Sequence, residues 1–442
     1  MSNQKKNGSI IAIVTMMFLY AMIAFVTNLG APIGVVMKND PEVGGSNMLA
    51  MLGNFMNFFA YLFMGIPAGK MLTRIGYKKT AMLGILVGFI GVLIQFISGF
   101  EALEGYTDNV VYLTGAFVSG LSVCMLNTVV NPMLNLLGGG GNRGNQLNMI
   151  GGTLNSLSGT MTPMLVGALI GQVTRETDFV QINLVLYIAM AVLAAAFCVL
   201  AFIPIKDPEM GKVTAATKFE HTPWSFRHCT LGVIAIFVYV GVEVGIPGGL
   251  NFYLSDTSAN GGWVNPEAVL NAATIGGAVA AMYWLLMLIG RLVSSAIAGK
   301  VSSRQLMLAT TSVGMVLIIA AILTPKDVTV SMPLVKILEG TVEMTTVPMS
   351  ALLLVLCGLC TSVMWASIFN LATEGLGKYT AQASGIFMMM VVGGGVLPVV
   401  QSFFADFMGY MPSYFVYLLA MAYMFYYALI GCKNVNKDIP VE

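Results

Sequence analysis

The sequence predicts an all-α membrane protein of twelve transmembrane helices in two pseudo-symmetric six-helix halves. Three observations carry that expectation: too few charges for water, a succession of apolar runs of bilayer length, and motifs that repeat at a fixed offset. Of 442 residues, 57% are hydrophobic and 9% charged, against about 25% charged in a soluble domain. Disorder needs the opposite composition. A net charge of +1 offers no footprint for nucleic acid.

A span needs about 20 apolar residues. Apolar runs lie at 9–37, 47–72, 79–100, 110–137, 146–172 and 180–203, then at 229–254, 268–298, 305–323, 349–372, 380–407 and 412–431. Lys5 and Lys6 precede a first run that is too long for a signal-peptide core and lacks a clear cleavage site, so an uncleaved first span is expected. The charged stretch 204–228 divides the chain into an N-terminal half (1–203), a cytoplasmic linker and a C-terminal half (229–442). The outer segment from Thr324 to Pro348 has room for a short interfacial helix.

With the N-terminus inside, only Lys38, Arg175, Lys326 and Lys336 of the 21 Lys+Arg fall outside. This positive-inside bias places both termini in the cytoplasm. Ala68-Gly69-Lys70 with Arg74 recurs as Ala298-Gly299-Lys300 with Arg304, an offset of 230. Asn135-Leu136, Arg143, Gly159 and Pro163 recur as Asn370-Leu371, Lys378, Gly394 and Pro398, all at 235. Two parallel six-helix repeats with a site between them at mid-membrane are a secondary-transporter architecture.

Every acid can be given a loop except Glu243, in the middle of span seven. A carboxylate there costs roughly 2.5–3.5 kcal/mol on insertion scales, so it is expected to bind a proton, hold Na⁺ or accept hydrogen bonds from a substrate. The bland alternative is a protonated Glu bonded to a neighbouring helix. Tyr239, Glu243, Pro247 and Asn251 share a helical face, and Pro247 with its neighbouring glycines predicts a break in span seven.

Asparagines form a second set: Asn28 in span one, Asn54 and Asn57 in span two, Asn127, Asn131 and Asn135 in span four, and Asn148 and Asn155 in span five. Amides both donate and accept, which suits sugar hydroxyls. The alternative is interhelical glue, worth about 0.6 kcal/mol per pair, and Asn54, Asn57 and Asn135 are expected to be glue or gate residues. Trp365 in span ten, on one face with Asn370, offers a ring on which a pyranose could stack. Trp284 in span eight reads more readily as core. Lys70, Arg74, Arg291 and Arg304 sit near the inner ends of spans and are candidates for a latch between the halves, through helix C-terminal carbonyls; simple topology determinants are the other reading.

The Cys357-Gly-Leu-Cys360 pair lies mid-span with no partner pair, so its cysteines are expected to be small buried hydrophobes. His221 and His228 are expected to be solvated linker residues. No metal set is visible, nor a nucleophile–base pair, which disfavours an enzyme. Gly138 to Gly141 lacks the Lys-Ser/Thr of a phosphate loop and reads as a flexible inner loop.

Several stretches resemble the fucose–galactose–glucose symporter (fucose permease-like) family of the major facilitator superfamily. They are Ile66-Pro67-Ala68-Gly69 with Arg74-Ile-Gly-Tyr77-Lys78, Gly120-Leu121 through Asn131-Pro132, Leu154-Asn155-Ser156, Tyr239-Val-Gly-Val-Glu243-Val, Ile289-Gly290-Arg291, Ile368-Phe369 and Gly393-Gly394-Gly395. They run through both halves in family order. The resemblance implies an alternating-access transporter of a hexose or deoxyhexose, with Asn28, Asn127, Asn155, Glu243 and Trp365 at or beside the cavity; Asn131 and Asn370, on the polar faces of spans four and ten, complete the expected substrate-binding set. It also implies a monomer in a bacterial inner membrane, with no cofactor beyond a co-transported H⁺ or Na⁺. The proton-coupled members carry carboxylates after a helix-one Asn-Leu and in helix four before Asn-Pro. Those places here read Asn28-Leu29-Gly30-Ala31 and Asn127, both uncharged, which leaves Glu243. Proton symport, Na⁺ symport and facilitated diffusion stay open, with cation symport ahead. An exporter of sugars or apolar drug-like compounds, for which 33 Met would supply a lining, and a sugar receptor are the rivals.

Overall fold

The computed structural model describes residues 3–38, 43–100, 106–137, 141–170, 182–203, 220–256, 262–263, 272–297, 301–336, 340–436 and 438–440. Span one is α1 (Asn3–Thr27) and α2 (Gly30–Met37), and a short α3 (Asn47–Ala50) leads into span two, α4 (Leu52–Ile75). Spans three to six are α5 (Tyr77–Ile97), α6 (Tyr106–Leu137), α7 (Gly141–Ile170) and α8 (Asn183–Phe202). Spans seven to nine are α9 (Arg227–Ser255), α10 (Ala272–Ile297) and α11 (Ser303–Leu323). Span ten is α12 (Met349–Thr361) with α13 (Met364–Thr373), and span eleven is α14 (Thr380–Met390) with α15 (Gly393–Met408). Span twelve is α16 (Tyr410–Ser413), α17 (Phe415–Tyr426) and a π turn over Tyr427–Gly431. All twelve expected spans are helices, six on each side of 204–219, a segment outside the described residues. Below, the end bearing Lys38 is called outer, following the charge bias.

Ten helices among the described residues are apolar enough to cross a bilayer by length and composition. The two that fall short are α4, with Asn54 and Asn57, and α7, with Asn148 and Asn155. Their polar stripes find protein rather than lipid, which is the condition for keeping such groups at membrane depth.

Among the described residues, Thr324 to Pro348 holds no interfacial helix. It folds as an antiparallel hairpin, β1 (Thr329–Lys336) paired with β2 (Thr341–Pro348), with Thr329 opposite Pro348 and Lys336 opposite Thr341. The dense Thr and Val favour a pleated strand. Leu334 of β1 packs into a small cluster with Met164 of α7 and Ala278 and Ala281 of α10. Pro247, in turn, does not break span seven: α9 is continuous through it. Proline is tolerated inside a membrane helix when neighbours take over the freed carbonyl.

Breaks occur elsewhere, at Asn28-Leu29, Ser362-Val363 and Val391-Val392. Pro32 removes the donor for the Asn28 carbonyl. The Ser362 hydroxyl donates to the Leu359 carbonyl at 2.6 Å and competes with the helix ladder. In span eleven, Pro398 leaves the Gly394 carbonyl without its helical donor, and Asn54 Nδ2 of α4 supplies one at 2.9 Å across the two halves. Asn54 is therefore glue in this state, as expected.

The bases at the inner ends tie each half to itself. Lys78, at the start of span three, donates to the carbonyls of Ala201 (3.1 Å) and Ile203 (2.7 Å) at the end of span six. Arg304, at the start of span nine, does the same for Ala428 (2.9 Å) and Leu429 (2.8 Å) at the end of span twelve. The carbonyls that Arg304 holds in this state belong to its own half. Lys70 and Arg74 are exposed in the last turns of α4.

His228 also departs from expectation. It is fully buried in the first turn of α9, with Nε2 2.9 Å from the Glu374 carbonyl at the end of span ten. Cys357 and Cys360 are buried and free, as expected. Among the described residues no group of three His, Cys, Asp or Glu could hold a metal.

Spans seven and eleven pack backbone to backbone at Gly393, where a Cβ would run into the Phe237 carbonyl. Overpacking of this kind costs about 1–3 kcal/mol. Gly393→Ala is expected to lower the melting temperature of the purified protein in detergent, whereas Gly385→Ala, where a Cβ meets open space, is expected to leave it unchanged.

Candidate functional site

Glu243 is not an isolated acid. Arg291 Nη2 of α10 donates to Glu243 Oε1 at 3.1 Å, and both side chains are largely buried. Arg291 Nη1 reaches across the two halves to α7, donating to the Gly152 carbonyl (3.1 Å) and the Ser156 hydroxyl (2.8 Å). One guanidinium thus joins spans five, seven and eight. In the sequence Arg291 reads as a charge at the inner end of its span. Arg291 sits six residues before the end of α10, about 9 Å along the helix at 1.5 Å per residue, which is inside the membrane-spanning stretch. The sequence signal was there: a second unplaced charge, of opposite sign, in the neighbouring span.

Tyr239, one turn before Glu243, brings its hydroxyl beside both members of the pair. Its ring lies 6.2 Å from that of Trp365, which is half-buried. Asn370 is exposed on α13.

The N-terminal asparagines form one chain of hydrogen bonds. Asn127 Nδ2 donates to the Tyr61 hydroxyl (2.8 Å), Asn131 Nδ2 to the Asn127 carbonyl (3.0 Å), and Asn155 Nδ2 to the Tyr20 carbonyl (3.2 Å). The Tyr20 hydroxyl donates to Asn131 Oδ1. Spans one, two, four and five therefore meet at half-buried amides whose donors are largely engaged while acceptor oxygens remain. Tyr20 and Tyr61 were missed because a tyrosine in an apolar run looks like any other core residue. The side chains of Asn135, Arg143, Asn148 and Lys300 lie outside the described residues, as does the loop 138–140.

Outward of the pair, a small cavity lies between the halves. It is lined by Asn28 and Pro32 of span one, Asn54 of span two, Pro163 of span five, Pro247 and Asn251 of span seven and Trp284 of span eight, among others. Its volume of about 20 Å³ is the room of a single water.

The outer end is shut by polar ties between the halves. Lys38, at the end of span one, bonds Asp256 at the end of span seven and the Tyr410 hydroxyl of span twelve. Tyr410 donates in turn to Asn47 Oδ1 at 2.7 Å. The Asp406 carboxylate of span eleven accepts from the Ser46 hydroxyl (2.8 Å) and from Asn47 through its backbone N–H (2.8 Å) and Nδ2 (2.7 Å). Burial pulls the Lys38 ammonium down from its ordinary range, and Asp256 beside it pushes it back up. Of these residues the sequence marks only Lys38, as a base on the outer side.

Two six-helix halves meeting at a charged pair in mid-membrane, closed at one end by ties that cross the seam, define a transporter that works by rearranging its halves. The chain belongs to the Major Facilitator Superfamily, whose family profile matches residues 9–399. It is 29% identical over 440 residues to a glucose/galactose transporter of Brucella abortus (98% of this chain, 96% of that one). It is 25% identical over 448 residues to a putative glucose/galactose transporter of Helicobacter pylori (98% and 100%) and 21% over 391 residues to the L-fucose-proton symporter of Escherichia coli (80% and 78%). In fold it matches the crystal structure of the Escherichia coli fucose:proton symporter in its outward conformation with a TM-score of 0.65 at 18% identity (97% and 100%). A D-xylose-proton symporter matches at 0.66 and 12% (97% and 98%).

Breaking a buried pair from one side strands a charge and costs about 3–5 kcal/mol. Arg291→Met is expected to lower the melting temperature, and adding Glu243→Gln to recover most of the loss. At the outer end, Ser46→Cys with Asp406→Cys is expected to form a disulfide that stops transport until a reductant is added. Transport that persists in the crosslinked protein would show that these ends need not separate.

Proposed function

We propose that the chain carries a neutral hexose or deoxyhexose inward by alternating access, coupled to protons through the Glu243–Arg291 pair. The observation that carries this reading is the double engagement of Arg291, which holds Glu243 of its own half and α7 of the other. Protonating Glu243 removes the charge that anchors Arg291 and so loosens the tie between halves. A proton fits better than Na⁺, because a cation about 4 Å from the guanidinium meets a repulsion of about 4 kcal/mol at intermediate dielectric. Half-buried amides at Asn127, Asn131 and Asn155 supply the neutral hydrogen-bonding surface that hydroxyls need. The names of the relatives point the same way, to hexoses and to proton coupling. Asn28 joins that set from span one, and Trp365 and Asn370 of span ten close the inner approach. The protein works as a monomer surrounded by lipid in the bacterial inner membrane, with both termini cytoplasmic.

An exporter of apolar compounds calls for walls of Met and Phe, and the cavity between the halves is lined by Asn, Pro and Trp instead.

Uptake by proteoliposomes from a panel of sugars, under a pH gradient or a Na⁺ gradient imposed separately, tests the proposal. One pH unit supports at most about tenfold accumulation at one proton per sugar. Glu243→Gln is expected to abolish accumulation above equilibrium while sugar exchange continues. Accumulation by the unaltered protein that ignores the pH gradient would reject proton coupling.

A further inference from the structure

The hairpin between spans nine and ten has no part in holding sugar or proton, yet it is folded and seated. Its stem closes where span ten starts, the Met349 N–H donating to the Val328 carbonyl at 2.8 Å. From there β1 lies against α10 and α12 of its own half and against α7 of the other. We infer that the hairpin is a strap across the outer seam, in which Leu334 holds the outer ends of spans five and eight together and favours the state closed to the outside. The inference rests on the reading of the chain as an alternating-access carrier and names an element that sets the balance between its states.

The strand alternation shows which face is seated. Met332 and Leu334 lie on one face of the hairpin, and Pro333, Val342 and Met344 on the other, since directly opposed residues share a face. Met332 and Leu334 are each 5% exposed, whereas Val342 and Met344 are 65% and 66% exposed. Leu334 packs with Met164 of α7 and with Ala278 and Ala281 of α10, so one side chain touches both halves. Around it the two helices meet backbone to backbone. A Cβ at Gly277 would run into the Pro163 carbonyl, and one at Gly167 into the Ala273 carbonyl. The Thr274 hydroxyl donates to the Gly167 carbonyl at 3.1 Å. Drawing α7 away from α10 would bare Leu334, Met164 and both alanines, and apolar surface resists exposure to water.

The stem also reaches the polar ties. The Lys326 ammonium lies 6.0 Å from the centre of the Tyr253 ring, that ring stands 5.6 Å from Tyr410, and Lys38 lies 5.0 Å from the Tyr410 ring on its other contact. The hairpin is thus joined at its base to the Lys38–Asp256–Tyr410 tie and at Leu334 to span five. The ties are charged and the Leu334 contact is apolar, so the strap gives the outer closure a component that protonation does not alter.

The test is the rate at which a membrane-impermeant maleimide, added from outside, labels Ala31→Cys in the full-length protein, with Cys198→Ser removing the exposed native thiol. Ala31 lines the small cavity between the halves, so reagent from outside reaches it only when the outer end opens. Leu334→Ala is expected to raise the rate about threefold to tenfold. Excision of 329–348, with a Gly-Gly link from Val328 to Met349, is expected to do the same. Leu334→Met, which keeps the volume, and Met344→Ala, on the exposed face, are expected to leave it unchanged. A disulfide from Leu334→Cys with Met164→Cys is expected to stop sugar uptake until it is reduced. One from Leu334→Cys with Ala281→Cys, within a single half, is expected to leave uptake running. Melting temperatures are taken in parallel, and should the excised chain fail to fold, Leu334→Ala carries the comparison. If Leu334→Ala labels at the unaltered rate, or uptake persists across the 334–164 crosslink, the strap is wrong and the carrier reading stands. If the unaltered protein takes up no sugar from the panel, the sugar reading falls, and the labelling rates alone decide the strap.

Discussion

A guanidinium in a membrane has to be met from several sides, and the way Arg291 is met organises this molecule. Its charge is balanced by Glu243 from span seven, and its remaining donors go to a carbonyl and a hydroxyl of span five. Those acceptors fix the depth and rotation at which spans five, seven and eight meet. Gly152 and Gly159 lie on one stripe of α7 and meet Arg291 and Trp284, two turns apart on α10. Had either charge stood alone, its solvation cost would have forced it to neutralise or to seek water.

The outer ties and the Arg291 bridge cross the same seam at different depths. Between them lies a cavity reduced to the size of a water, and the outer rim is held by Lys38, Asp256, Asp406, Tyr410 and Asn47. Both closures set hydrogen-bonded charges into a seam that helix packing also joins. The strength of those polar ties depends on protonation and on access of water, which apolar packing does not. The bases that cap helix ends, Lys78 and Arg304, act within their halves, while across the seam α10 packs along α7 and α14 and α15 pack against α4, so the polar ties add to close helix packing.

Much of this was legible in the sequence. Apolar runs located the spans within a few residues because bilayer thickness dictates their length, and the repeated Ala-Gly-Lys and Asn-Leu motifs showed the two halves. Glu243 stood out by elimination. What escaped depends on pairing in three dimensions. Arg291 lies close enough to a helix end to pass for a topology charge, and only its distance from Glu243 shows otherwise. His228 lies in a polar stretch, yet the first turn of α9 carries it under the end of span ten. Pro247 looked like a break because one chain read alone does not show which neighbours stabilise a helix around a proline. The hairpin between spans nine and ten was missed because a connection of that length leaves room for a short helix, although its Thr- and Val-rich strands of eight residues pair locally.

The Asn54–Gly394 bond has a consequence for how this sequence can vary. Pro398 contributes no contact of its own to that bond. It acts by withholding an N–H, so that the Gly394 carbonyl must find its donor on another helix. With an ordinary residue at 398 the helix would satisfy that carbonyl itself, and Asn54 would keep a polar amide at the seam with less to bond. Without Asn54, Pro398 leaves a carbonyl stranded in a nearly dry interface. Each residue makes the other tolerable through an atom that belongs to neither, so lineages of this protein are expected to gain or lose the two together although their side chains need never touch.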